Sequence, residues 1–532
     1  MRLLVLLLCA VLPFAGSRHA PHVLDDHLLR GPGSLVATPD VRLGTLLRAD
    51  LFGTPEAPHA QSGYWRPVLV LLARAEWWLT GGAPRALAWL GHVVTILAHA
   101  GAVLALHAVL RRLLPAAAAW LAAALFAVHP VHVESVAWIS GRSDPAATAF
   151  GCAGLALLLD REGGRARAAL AVGAFALALL CKESALLIVA LASAVLLRVG
   201  LGARRAALPW LAAAAVLAAR ALVFEPGIAP DAATGPEQPA VRWLSWLSTV
   251  PDLVRLTVWP AVTSPLRVVA PATGWDAPGV AAGAVALAAL SLALGLAWRA
   301  RSGALVLGLG AWLGTLALLA PWTRIVVGFP ETAAPLFERY LYLAALAPAL
   351  AVSVPLSRAL GHRTLPVGAV VALLAVPIGV ETARRSGVWS SDVALARAGL
   401  VTAPSSPSLW THLGSAYLSR HLEGGDAEDL QRAYEASNRA LALHPDHPQA
   451  AINAFLAASL LGRSDATARA ERLLARHPED PLVLRNVAEW HARHERWERA
   501  YDLLRAELET GRPLPGLEPL LEHVARRMAG PR

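Results

Sequence analysis

The sequence predicts an all-α chain in two parts: a polytopic bundle of about eleven membrane helices, then a short soluble array of helix pairs. Three observations predict it. Of the 532 residues, 56% are hydrophobic, and mean hydropathy is positive. The apolar residues fall in runs nearly free of charge, such as 168–180, 281–297 and 304–320, and runs of about 17–25 apolar residues read as membrane helices. After residue 381 the composition turns to that of a soluble protein.

Arginines order the spans. The net charge is +9, carried almost wholly by Arg. Arg111-Arg112, Arg161/Arg165/Arg167, Arg198/Arg204/Arg205, Arg299/Arg301 and Arg358/Arg363 lie between apolar runs, as they do in short cytoplasmic loops. Placing them inside gives spans near 3–16, 86–110, 114–129, 145–160, 168–181, 184–198, 206–223, 278–298, 303–321, 336–357 and 364–380. The N-terminus is then inside and the C-terminus outside, at a cell's inner (plasma) membrane. Every cluster falls on one side except Arg384-Arg385. Residues 168–198 cross twice in this scheme, turning at Lys182-Glu183. The first run, with Arg2 before it and Ala15-Gly16-Ser17 after it, also fits a signal peptide. Either reading delivers residues 18–85 to the outer side. Charges that punctuate spans do not build one basic face, which excludes a nucleic-acid partner. Cys9, Cys152 and Cys181 sit in apolar runs and imply no disulfide framework.

Domain 1–380 carries two large outer loops, 17–85 and 224–277. Their aromatic, amphipathic stretches Trp65–Trp78 and Trp243–Trp259 suit helices lying on the membrane surface, although 67–79 could also be a short extra span. A linker, 381–403, leads to repeats over 404–510 and a tail, 511–532. Trp410-x-x-Leu413-Gly414-x-x-Tyr417 opens a tetratricopeptide (TPR) repeat. Ala433, Ala440 and Pro445 fit its second helix after an insertion at 422–429. Pro478 closes a second unit, and Leu484, Ala488, Ala500 and Leu504 mark a third. The result is a short α-solenoid.

Ionisable residues beside a membrane span are costly and suggest function. Asp25-Asp26, just outside the first span, could take a proton from a hydroxyl or simply cap a turn. His129-Pro130-Val131-His132-Val133-Glu134 has donors for a divalent cation; a turn broken by Pro130 and lined by histidines is the simpler reading of the spacing. Arg142 could bind substrate or bridge to Asp144. Lys182 is the only lysine; beside Glu183 it offers a compact charge where arginine offers a planar fork, or an ion pair. In Glu338-Arg339-Tyr340-Leu341-Tyr342, Arg339 suits a phosphate or snorkels to the interface.

In order along the chain stand Leu24-Asp25-Asp26, Thr38-Pro39-Asp40-Val41-Arg42, Tyr64-Trp65-Arg66-Pro67, the 129–134 segment, Gly141-Arg142-Ser143-Asp144, Lys182-Glu183, the 338–342 segment and Trp389 before the repeats. This ordered set resembles the GT-C glycosyltransferases, most closely the transmembrane-and-TPR O-mannosyltransferases and their bacterial relatives. Residues 200–330 carry none of the family's motifs, and the repeat array is short. The resemblance implies an inverting transfer of a sugar, mannose first, from a polyprenyl-phosphate donor to a Ser or Thr hydroxyl of a protein on the extracytoplasmic side. It implies Asp25 or Asp26 as base, with Glu134 orienting the acceptor or a histidine. Arg339, Lys182, His132 and Arg142 would meet the phosphate's charge. Arg66, Asp144, Glu183, Glu338, Tyr340 and Tyr342 complete the expected substrate site, and the repeats would hold the protein acceptor.

Another class stays open: a non-catalytic membrane anchor whose repeats recruit partners. A transporter fits less well, because it needs ionisable groups near the bilayer midplane. One shared location for Asp25, Glu134, Lys182 and Arg339 favours the enzyme; dispersal favours the anchor.

Overall fold

A computed structural model describes residues 2–31, 33–55, 62–224, 238–258, 264, 267–320, 336–360, 364–509 and 517–528. Among the described residues every regular element is helical and there is no strand. Two compact units, Met1–Leu395 and Ala396–Arg532, make up the chain. The expected linker is itself helical, with Thr364–Ser386 followed by a 3-10 turn at Gly387–Ser390 and the helix Asp392–Thr402. Several expected features lie outside the described residues: Pro321, Trp259, Arg363, residues 225–237, 259–263 and 265–266 of the second loop, and 510–516 and 529–532 at the end.

Each expected span is built around a helix. They are Arg2–Val11 with the 3-10 turn Leu12–His19, Pro84–Leu113, Ala116–Ala127, Ser143–Leu159, Arg165–Cys181, Leu186–Arg198, Ala203–Val223, Val280–Arg299, Gly303–Leu318, Leu346–Leu360 and Thr364–Ser386. Length and composition alone qualify four of the described segments as crossings: Arg2–His19, Pro84–Leu113, Ala203–Val223 and Val280–Arg299. A fifth joins Ala116–Ala127 to Pro130–Ala137 across a 48° bend. The count of eleven is therefore not reproduced. The shortfall is one of length: a 13-residue helix such as Leu186–Arg198 rises about 20 Å, short of a hydrocarbon layer about 30 Å thick. The break at Lys182 falls where expected, between Arg165–Cys181 and Leu186–Arg198.

One continuous apolar core runs through the first unit, from Leu6 to Leu395. Its outer surface is apolar too, with Leu97, Leu170, Leu222, Val285, Leu292 and Leu373 exposed. So many exposed large apolar side chains are unusual in a soluble protein and suit a surface that faces lipid. The first unit is accordingly a multi-pass membrane protein. The two aromatic loop segments form the helices Pro67–Thr80 and Pro239–Val258, and neither qualifies as a crossing. At Gly283 the helix Val280–Arg299 meets the backbone carbonyl of Leu247 so closely that a Cβ would clash, the kind of approach that small residues permit.

The second unit comprises the helices Pro407–Leu422, Ala427–Leu443, Pro448–Leu460, Ala466–Arg476, Pro481–Arg493, Trp497–Glu509 and Leu517–Met528. Three of them begin with Pro in the first turn after a side-chain cap from Ser406, His447 or Asp480, where proline's missing N–H costs nothing. Pro407–Leu422 packs on Pro448–Leu460, which packs on Pro481–Arg493, with the intervening helices between them. Phe455, Val483, Val487 and Leu504 lie in the core of this stack.

Candidate functional site

The loop after the first helix is held in an unusual conformation. Leu24 has φ of +50°, a strained value for a bulky residue and one found at functional sites. Its amide donates to Asp392 Oδ1 at 3.0 Å, and His27 Nε2 lies 3.1 Å from Asp392 Oδ2. The carboxylates that follow differ in setting. Asp26 is fully buried. Its Oδ1 accepts from the Ser140 amide at 2.8 Å and from the Ser140 hydroxyl, and its Oδ2 accepts from the Val23 amide. Asp25 is only half-buried.

Residues 129–144 fold back on themselves. Pro130 ends the run of Ala116–Ala127, and short turns follow at Pro130–His132, Val133–Ala137 and Ser140–Arg142. His129 fixes the first turn: Nδ1 accepts from the Val131 amide at 3.2 Å and Nε2 lies 2.9 Å from the Thr257 carbonyl. Gly141 permits the fold, since a Cβ there would stand 2.5 Å from the Glu134 carbonyl. Trp138 connects the loop to the rest. Its indole N–H donates to the Val23 carbonyl at 3.3 Å, and Arg339 lies over its ring at 5.6 Å.

Three ion pairs gather here. Arg66 bonds Glu183 at 3.0 Å, Lys182 bonds Asp144 at 2.6 Å, and Arg339 bonds Glu134, whose other oxygen accepts from the Arg339 amide at 2.9 Å. Arg66 and Arg339 lie near enough to Lys182 for their charges to oppose its own. Tyr340 lies 5.6 Å from Lys182 and 5.3 Å from Arg339; Tyr64 lies 4.4 Å from Arg66. The side chains of the cations remain 12%, 7% and 23% exposed in that order. Local pairs expected from the sequence do not form: Lys182 takes Asp144 in place of Glu183, and Arg142 takes neither. The fold brings Arg66, Lys182 and Arg339 together from three separate stretches, and Trp138 joins Arg339 to the Asp25-Asp26 loop.

Four of the five donors of Arg142 are taken up within the protein. Its Nε bonds the Ile139 carbonyl at 3.0 Å, Nη2 bonds the Gly91 carbonyl at 3.1 Å, and both terminal nitrogens reach Glu76. Arg30 bonds the same carboxylate at 3.1 Å, and all three side chains are 1–2% exposed. Burial alone would raise the Glu76 carboxyl; Arg142 and Arg30 outweigh it and hold it below the ordinary range. Burial, then the charges of Arg30 and His27, push His22 down to about 4. Sequence reasoning missed Glu76. Its signal was a lone carboxylate in the apolar stretch 65–78.

His132 and Tyr342 also stand away from solvent. His132 is fully buried, its ring 4.5 Å from Phe126 and 4.4 Å from Tyr342. Tyr342 Oη lies 2.6 Å from His99 Nδ1, and His99 Nε2 lies 3.0 Å from the Ala127 carbonyl. Glu338 accepts from the Ser264 amide at 2.8 Å and pairs with Arg267 at 3.2 Å. The proposed cation ligands do not fit as a set: His129 is engaged with Thr257 and Glu134 with Arg339. Among the described residues no three His, Cys, Asp or Glu side chains are grouped to hold a metal ion.

No protein-family model matches the chain. Its sequence is similar to protein O-mannosyl-transferase Tmtc1 of Drosophila melanogaster, 37% identical over 193 residues, 34% of this chain and 21% of that protein. Tmtc2 of the same species is 40% identical over 167 residues, 29% of this chain and 17% of that one. Homo sapiens TMTC4 is 35% identical over 152 residues, 25% of this chain and 20% of that one. The matches thus span about a fifth of these relatives. All three are protein O-mannosyl-transferases by name, in line with the resemblance drawn from the sequence. Among solved structures, an Archaeoglobus fulgidus oligosaccharyltransferase complex with Zn and sulfate has 16% identity and a TM-score of 0.38, covering 73% of this chain and 53% of that one. The AglB oligosaccharyltransferase of the same organism, with an inhibitory peptide and a dolichol-phosphate, has 17% identity and a TM-score of 0.37, covering 73% and 56%.

Proposed function

We propose that the chain is an inverting membrane glycosyltransferase, moving a sugar, mannose first, from a polyprenyl-phosphate to a Ser or Thr hydroxyl of a protein on the extracytoplasmic side. The observation that carries this reading is the split between the paired carboxylates. Asp26 is bolted to Ser140, while Asp25, beside the strained Leu24, is the half-buried member.

Asp25 takes the hydroxyl proton as the oxygen attacks the anomeric carbon from the face opposite the phosphate. The sugar–phosphate bond breaks and its electron pair leaves on the lipid phosphate. Arg339, Lys182 and Arg66 meet that charge. Their partners Glu134, Asp144 and Glu183 hold them in place beforehand, so little reorganisation accompanies the step. Glu134 acts through Arg339, Asp26 through the loop, and Tyr340 and Glu338 through the turn that carries Arg339. A divalent cation at His129, His132 and Glu134 would require His129 to release Thr257 and Glu134 to release Arg339, and no step here needs one. The helix pairs of the second unit are read as TPR repeats that present the acceptor, since a concave solenoid face suits an extended peptide. The membrane is the inner (plasma) membrane of a bacterium, with the N-terminus cytoplasmic.

The test is transfer of labelled mannose from polyprenyl-phosphate mannose to Ser/Thr peptides by the purified chain. Asp25→Asn should cut kcat by about 100-fold or more with donor affinity kept. Asp26→Asn should lower heat stability as well as activity. Undiminished transfer by Asp25→Asn refutes the assigned base. A wild-type chain that neither binds donors nor transfers sugar favours the anchor.

A further inference from the structure

Arg384-Arg385 is the arginine cluster that the topology leaves on the outer side. The two residues face differently. Arg384 is 68% exposed and pairs with Glu381 at 2.8 Å. Arg385 is 4% exposed, and its Nε donates to the same carboxylate at 2.5 Å. Among the described residues the buried Nη1 of Arg385 has no hydrogen-bond partner. Guanidinium cannot shed its charge, and a buried donor left unmade costs its full desolvation. An anion at Nη1 would satisfy both.

What lies on either side of Arg385 narrows the anion. On one side is an apolar cavity of about 580 Å³, lined by Leu125, Ala349, Val352, Leu373, Pro377 and Ile378 among others, with Arg385, Glu381 and His129 at its polar positions. On the other is a small polar pocket bounded by Glu134, Glu338 and Trp389, which also has Arg385 in its wall. One side chain therefore borders both an apolar channel and the ion pair of the candidate site. A larger apolar cavity of about 970 Å³ includes Arg2 and Trp120 and shares no lining residue with that polar pocket. A ligand that matches the smaller cavity has an apolar chain and a terminal phosphate.

We propose that Arg385 binds the phosphate of an isoprenoid-phosphate donor whose chain lies in the 580 Å³ cavity beside it. This rests on the donor named above and adds a residue that the family motifs do not include. Phosphate recognition gives a reason for an arginine cluster on the side where the topology otherwise places none.

The test measures binding of undecaprenyl phosphate, undecaprenol and dioleoyl phosphatidic acid to the full chain in nanodiscs. Undecaprenyl phosphate should bind more tightly than phosphatidic acid. Arg385→Gln should weaken undecaprenyl phosphate by about 10- to 100-fold, with undecaprenol unchanged; Arg385→Lys should restore part of the loss. Ala349→Phe, in the cavity wall and away from the charge, should weaken both isoprenoids, and it carries the test if Arg385→Gln does not fold. A wild type that binds undecaprenyl phosphate and a folded Arg385→Gln that binds it equally well overturn the role of Arg385 and leave the donor reading intact. Equal binding of phosphatidic acid overturns the isoprenoid assignment. No binding of either phosphate by the wild type overturns the inference, and transfer from a donor without an isoprenoid chain overturns the donor reading with it.

Discussion

Removing the charge of Glu76 should strongly destabilise this protein. Glu76 stands between Arg30 and Arg142, and all three side chains are almost wholly shielded from solvent. Glu76→Gln keeps the shape and deletes the negative charge. Two guanidinium groups would then face each other, and neither can neutralise by losing a proton. Breaking one partner out of a buried ionic cluster costs about 3–5 kcal/mol, roughly a hundredfold or more in the folded-to-unfolded ratio. Arg142 immediately precedes Ser143 and Asp144, so the loss should also disturb the Asp144–Lys182 pair. The assay is heat-induced unfolding of the purified chain at one fixed scan rate, since membrane proteins of this size unfold irreversibly. A second variant, Glu76→Gln with Arg30→Met, removes one cation as well and should recover part of the loss. A single variant whose unfolding temperature at that scan rate matches that of the native chain would refute the claim that this cluster carries charge in a dry setting.

Two further outcomes follow from other parts of the chain. Gly141→Ala should destabilise by about 1–3 kcal/mol and reduce transfer, because its Cβ would stand 2.5 Å from the Glu134 carbonyl and push apart the turn that carries Ser140; native transfer rates from this variant would show that the turn tolerates the shift. In the second unit, burial first, then Arg496, Arg499 and His494, push His491 down from 6.5 to about 4. Its folded pKa is below its unfolded one, so the unfolded chain takes the proton first and stability falls from pH 6.5 towards 4, then levels. Denaturant midpoints of the second unit, followed by hydrogen exchange of its helices, should show that slope, and His491→Gln should flatten it.

Local pattern made the helices legible and left their partnerships hidden. Apolar runs bounded by arginines located the long apolar helices of the first unit, and the polar Lys182-Glu183 step located the break between Arg165–Cys181 and Leu186–Arg198; short helices such as Leu43–Arg48 went unread. Crossing was harder to infer, because composition marks an apolar run but its helical length sets how far it reaches. Pairing was out of reach. The partners of Lys182, Arg66 and Arg339 lie 38, 117 and 205 residues away, whereas the sequence offers only neighbours, so the pairs it suggests as alternatives, Lys182 with Glu183 and Arg142 with Asp144, are not the ones that form.

Glu76 and Arg385 show what a better reading would need. Both are charged residues in places where a simple rule places none: a carboxylate inside an apolar helix, and an arginine cluster that the topology expected from the sequence puts on the outer side. Each rule has a physical cost behind it, desolvation in the first case and topological charge bias in the second. A residue that bears such a cost needs a compensating partner. For Glu76 the partners are Arg30 and Arg142, within the protein. For Arg385 only Nε is matched within the described chain, through Glu381, and Nη1 is not. An unmatched donor alone does not separate the two cases, since Arg30 Nε and Nη1 in the Glu76 cluster also lack partners among the described residues; what sets Arg385 apart is the apolar cavity that it lines.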